Sequence, residues 1–302
     1  MIPTTLQTLR TLTRHELEDS VRSRRVIVLS LLYVAGSTAA TLLFVAILQK
    51  VERQLAESLG VTVASGTGSV TATLWKSDGF RHILTSLAGS ESLATTLLRV
   101  PPLALFYGWL SFTFAPALVM LTSTARISEE VWSGSARFVL FRTSRLHWCL
   151  GKFAGQAVQI LGALLLSAAG AWLVGLLRMK SFEPAATALA MLGFVMRGWI
   201  YSLTFLGLAL AVSQWCAAPN LALALGFFTM IGLAVLAGVS DHFAGEGWRR
   251  AWDLVHALTP GGHGTDLWWG DAAHLLPACV FLLSLAFVYL AAGYARFARR
   301  DL

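Results

Sequence analysis

Four of the seven histidines, His242, His256, His263 and His274, fall in one stretch of the chain, with Asp266 and Asp271 among them. Converging imidazoles and carboxylates are donors that a transition metal takes. Their spacings of 14, 7 and 11 residues match no metal-binding pattern, so no metal site is expected from them. Cys149, Cys216 and Cys279 lack the paired spacing of a zinc site or a disulfide framework and read as packing residues. A hydrolytic centre needs paired carboxylates or a His-Glu-x-x-His helix in or beside its apolar elements, and neither occurs. No Gly-x-x-x-x-Gly-Lys-Ser/Thr loop is present to cradle nucleotide phosphates. Two features remain that carry chemistry. Arg197 interrupts an apolar run. It is either a buried charge, able to hold an anionic group or pair with Glu183, or a side chain that snorkels to the surface if a span begins at Gly198. The segment from Ile127 to Arg145 starts with Glu129 and Glu130, breaks at Ser133-Gly134-Ser135, and then turns amphipathic and basic with Arg137, Arg142 and Arg145. It reads as a helical extension, a turn and a short surface helix that could receive force or a partner. A positively charged loop between two membrane spans would carry the same arginines.

The elements that must position these residues follow from composition. Of 302 residues, 56% are apolar and 13% charged, against roughly 45–50% and about 25% in soluble domains. So few charges do not cover a water-exposed surface of this size, and the apolar residues fall in long uncharged blocks. The expected fold is an all-α integral membrane protein, one transmembrane domain with six spans at about 26–48, 101–125, 151–177, 185–212, 218–240 and 273–295. Before the first span, Leu6, Leu9, Thr13, Leu17 and Val21 recur at helical spacing opposite Arg10, Arg14, Glu18 and Arg22. That pattern predicts an amphipathic helix over 4–24 lying in the membrane interface. The loop from Gln49 to Arg99 includes a Gly/Ser/Thr/Val stretch, Gly60–Thr73, read as irregular. Between spans five and six, Trp248–Leu258 is amphipathic and Thr259-Pro260-Gly261-Gly262 is a break. No removable signal peptide is expected at the start.

An even number of spans puts both termini on one side. Thirteen Lys and Arg fall on that side, including Arg22, Arg24 and Arg25 beside the first span, against nine on the other over longer loops. The bias places the termini in the cytoplasm. Trp132, Trp148 and Trp215 are expected at the inner interface, and Trp75, Trp248, Trp252, Trp268 and Trp269 at the outer one. The net charge of +7 is spread between apolar blocks without a continuous basic stripe, so nucleic acid is not an expected partner.

Several short motifs resemble those of the ABC type-2 exporter permeases, six-helix subunits that work with a separate ATPase. Glu16-Leu17 followed by Arg22-Ser23-Arg24-Arg25 is similar to that family's elbow helix. Ile127, Glu130, Gly134 and Ser135 resemble its Ile-x-x-Glu-x-x-x-Gly-Ser/Thr pattern, and Ser144-Arg145 with Gly151-Lys152 its approach to the third span. The tail Arg299-Arg300-Asp301-Leu302 is similar to the family's basic end. Thr143 stands where the family usually has proline. The resemblance implies that residues 127–147 contain a coupling helix seated on the ATPase. It implies that Glu130 pairs with a basic residue on the partner or the elbow, that Gly134 permits the turn, and that Arg137 and Arg145 face the partner or lipid phosphate. Glu16, Arg22, Arg24 and Arg25 would form the elbow and its interface. It further implies a second permease chain, identical or paralogous, with helices two and five lining the path. ATP and Mg2+ would be held by two copies of the ATPase, with no cofactor in this chain. The segment before helix six would be a re-entrant gate, a periplasmic accessory protein a further partner, and the location a bacterial inner membrane.

Rival classes remain open from sequence. An ion- or proton-coupled secondary transporter would show ionisable groups near the midplane and an internal repeat, where this chain offers Arg197 and no convincing repeat. A membrane-embedded enzyme or metal-handling protein would rest on Asp266, Asp271 and His274.

Overall fold

A computed structural model describes residues 5–58, 85, 90–179, 182–242, 253, 255 and 258–300. Among them the chain is all helical, with no strand. The helices are α1 (Thr5–Arg22), α2 (Arg24–Ser58), α3 (Glu91–Leu97), α4 (Pro102–Ser123), α5 (Arg126–Trp132), α6 (Ser135–Leu140), α7 (Arg145–Arg178), α8 (Pro184–Trp215), α9 (Pro219–His242) and α10 (Ala272–Ala298). Two 3-10 turns, Pro260–His263 and Asp266–Trp268, precede α10. Six helices are long and apolar enough to cross a membrane: α2, α4 running on into α5, α7, α8, α9 and α10. The starts have local causes. Pro102 and Pro184 occupy first-turn positions, where a missing N–H costs nothing. Ser144 caps α7 by accepting from the His147 amide at 3.3 Å.

α8 is the most enclosed of the six and packs against α4, α7, α9 and α10. Membrane helices gain little from hiding apolar surface from lipid, so close approach depends on small residues. A methyl on Gly207 would strike the Ala286 carbonyl, and one on Gly293 would lie 2.5 Å from Ala211 Cα, which fixes the α8–α10 crossing. Tyr107 of α4 donates to the Leu164 carbonyl of α7 at 2.8 Å inside the bundle. α1 is not a detached leader. It lies along the start of α7, separated from α2 by Ser23 alone. α9 is the least enclosed, with Leu221, Leu225, Phe228, Ile231 and Val235 exposed.

The loop at Gly60–Thr73, Trp75, Trp248, Trp252 and most of Trp248–Leu258 lie outside the described residues. The second of the 3-10 turns that follow that last segment packs against the bundle. Trp268 sits 5.2 Å from Phe112 and 5.4 Å from Phe194, ring centre to ring centre. Both phenylalanines lie ten residues, about 15 Å, inside the starts of their helices. Trp268 is therefore a packing residue rather than an interface marker. So is Trp148, buried and stacked on Phe297 at 5.6 Å. Trp132 and Trp215 are exposed.

Candidate functional site

The polar chemistry concentrates where α7 begins. α7 has 34 residues, about 51 Å of helix against a hydrocarbon core of about 30 Å. A helix of that length exceeds the apolar layer, and the first turns of this one carry polar groups. Gly151, Lys152, Gly155 and Gln156 share one face, and α1 lies on it. The glycines set the approach. A Cβ on Gly151 would fall 2.7 Å from Leu12 Cβ, and one on Gly155 would fall 2.7 Å from Glu16 Cγ.

This approach closes a buried ionic junction between three elements. Lys152 Nζ donates to Glu16 Oε2 of α1 at 2.8 Å and to Glu130 Oε1 of α5. Lys152 and Glu16 are buried, and Glu130 is partly exposed. Gln156 Nε2 donates to Glu16 Oε1 at 2.9 Å and to Ser20 Oγ at 3.4 Å, while its carbonyl oxygen accepts from Ser123 Oγ at 3.0 Å. Arg126 Nη2 reaches Ser20 Oγ at 3.1 Å. Burial acts to raise the Glu16 pKa, but the Lys152 ammonium and its hydrogen bond, with Arg126 and Gln156 behind them, hold it below its ordinary 4.5. Both carboxylates thus share one ammonium, and Glu16 stays charged. Glu130 pairs with a base of α7, and α1 contributes a second acid to that same base. The sequence marked Lys152 only as part of a Gly-Lys pair. Its partners lie 136 and 22 residues away, beyond any local pattern.

A turn projects from this junction. The Ile127 and Ser128 amides at the start of α5 both donate to Ser213 Oγ of α8 at 3.0 Å, which fixes its base. α5 and α6 are then joined through Gly134 at φ +75°. No other described residue has positive φ. Nothing lies within 4 Å of where its Cβ would be, so backbone conformation, not space, is what calls for glycine there. Ser133 and Ser135 Oγ close the turn onto the Glu130 carbonyl at 3.2 and 3.3 Å. Beyond it Arg137 and Arg142 are exposed, and so are three large aromatics, Trp132, Phe138 and Phe141, the last at 87%. This aromatic face was not singled out in the sequence, although Phe138 and Phe141 sit one helical turn apart.

The other candidates are dispersed. Arg145 is half-buried, where Arg137 and Arg142 are exposed. Its Nη1 donates to the carbonyls of Phe297, Ala298 and Arg300 at 3.0, 2.8 and 2.9 Å, at the end of α10. Arg22 and Arg24 are exposed, and Arg25 Nη2 reaches the Leu121 carbonyl at 3.3 Å. Arg197 lies well inside the continuous α8, about 20 Å from its start. It donates to the Leu267 carbonyl at 3.2 Å and lies 5.2 Å from the Phe194 ring centre. Its bonded contact is thus the 3-10 turn, and Glu183 is exposed at the helix start. His263 packs tilted against Phe281, and His274 stacks on Trp269 with Nδ1 2.9 Å from Asp271. The His242 side chain and His256 lie outside the described residues.

A protein-family model described as ABC-2 family transporter protein matches residues 10–302, nearly the whole chain. The chain belongs to the ABC-2 transporter family. It is accordingly a multi-pass membrane transport protein, of a family whose members are in general non-catalytic permeases that work with ATPase subunits. No curated protein matches the sequence.

Proposed function

We propose that this ABC-2 chain is the permease subunit of an ATP-driven exporter in a bacterial inner membrane, with both termini in the cytoplasm. It takes up motion from a separate ATPase at the α5–α6 turn. The observation that carries this is the pairing of a rigid anchor with an exposed face. The turn is held at its base by Lys152, Glu16 and Glu130 and by Ser213, and at its tip it presents Trp132, Phe138 and Phe141 beside Arg137 and Arg142. Exposed aromatics with arginines are the composition of a protein-binding hot spot. Force applied there passes directly into α1, α7 and α8, which the anchor joins. Glu130 and Gly134 hold the shape of the turn, and Arg137 meets the ATPase. Glu16 belongs to the anchor, and Arg22, Arg24 and Arg25 line the membrane interface beside it. ATP and Mg2+ are bound by two ATPase copies. A second permease chain, identical or paralogous, completes the path between α4 and α9. A periplasmic accessory protein fits the same assembly.

The test is co-purification with the cognate ATPase in mild detergent, comparing wild type with Arg137→Glu/Phe138→Ala/Phe141→Ala. These side chains are at the surface, so the permease should keep its thermal stability while ATPase recovery falls about tenfold or more. Equal recovery with the triple variant, or no ATPase with wild type, sinks the proposal.

A further inference from the structure

We infer that Arg145 is a positioning residue that ties the α5–α6 turn to the last spanning helix, so that α7 and α10 move as one body at this end of the bundle. The inference rests on the exporter function proposed above. The last carbonyls of a helix have no partner within it and carry the negative end of its dipole. Arg145, the first residue of α7, supplies both a cation and a donor there, to three carbonyls at 2.8–3.0 Å. The same side chain lies 5.7 Å from the ring centre of the buried Phe297. Phe297 stacks on Trp148, and Lys152 Nζ lies 5.1 Å from the Trp148 ring on its own helix. Arg145, Trp148 and Lys152 follow at three- and four-residue steps, so one face of α7 carries a cation, a ring and a cation, and Phe297 of α10 joins the first two into a ladder. One end of that ladder holds α1 and α5. The other holds α10, and Arg300 just past its end in turn donates to the Cys216 carbonyl at the end of α8 at 3.3 Å. A push on the turn therefore reaches α10 without crossing the membrane interior. Neither Arg137 nor Arg142 is so engaged, which separates Arg145 from the arginines of the docking face.

The experiment places nitroxides at Leu146→Cys and Arg299→Cys, both exposed, in the full-length protein in nanodiscs. The distance distribution is read for the permease alone, and again with its ATPase trapped by ATP and vanadate. The tie predicts one narrow distance in both states. In the Arg145→Ala background the untrapped distribution should broaden about twofold and shift on trapping, because α7 no longer donates to the end of α10. Arg145→Lys, which keeps the charge and a donor, should restore most of the narrow distribution, an outcome that general loosening of the fold would not give. A distribution unchanged by Arg145→Ala, or a wild-type distance that changes on trapping, overturns the inference. Failure of the exporter proposal would show separately, as absence of any bound ATPase, and would leave the untrapped comparison to decide the tie.

Discussion

Lys152 is the residue on which the junction depends, because it neutralises two acids that have no second ammonium in reach among the described residues. Removing one member of a buried ionic set leaves an uncompensated charge, which costs about 3–5 kcal/mol, whereas replacing the whole set by apolar or neutral groups of similar size is nearly free. Lys152→Met should therefore lower the thermal midpoint in detergent sharply, and Glu16→Gln/Glu130→Gln added to it should recover most of the loss. A triple variant as unstable as the single one would mean that the junction matters through packing alone. The carboxyl of Glu16 also gives the fold an acid limit. Its folded pKa lies below the ordinary 4.5, so the stabilisation is complete above 4.5 and is lost as pH falls through the depressed folded value. Thermal midpoints taken downward from neutral pH should fall on that limb in wild type, and the fall should be smaller in Glu16→Gln.

At the level of elements, the α5–α6 turn is set by one backbone angle. Gly134→Ala places a Cβ in the left-handed region at a cost of about 1–2 kcal/mol, although nothing nearby obstructs it. Asparagine tolerates that region better. If the turn couples to the ATPase as proposed, Gly134→Asn should accordingly keep more ATP hydrolysis in the complex than Gly134→Ala, and the reverse order would show that space governs the turn. The glycine was legible in the sequence because it breaks a polar run just ahead of an amphipathic one. The six apolar runs were legible for a related reason, since hydrophobic length is a local property. The side of α1 that is buried was not. Its apolar row ends in Val21, which is 69% exposed, while Glu16 and Ser20 face inward because α7 meets them with Lys152 and Gln156. Arg145 was equally opaque, because what turns it inward is a set of carbonyls more than 150 residues away.

For the molecule as a whole, the least enclosed helix is α9, and the proposed second chain would lie along it. In a twofold pair a residue near the axis meets its own copy. Phe228→Cys, from a position 76% exposed, should crosslink between chains in native membranes, while Leu43→Cys on the exposed side of α2 should not. Equal crosslinking at both positions would point to random collision. The ionic junction also constrains the order in which the chain can be made. Glu16 leaves the ribosome 136 residues ahead of Lys152, an interval of roughly 7–27 s at ordinary rates of synthesis. Throughout it the N-terminal helix must wait with a hydrated carboxylate, because the face it will bury has not yet been translated. α1 can thus seat only once the third span has begun to emerge, and the chain must then fold back onto a helix made well after it.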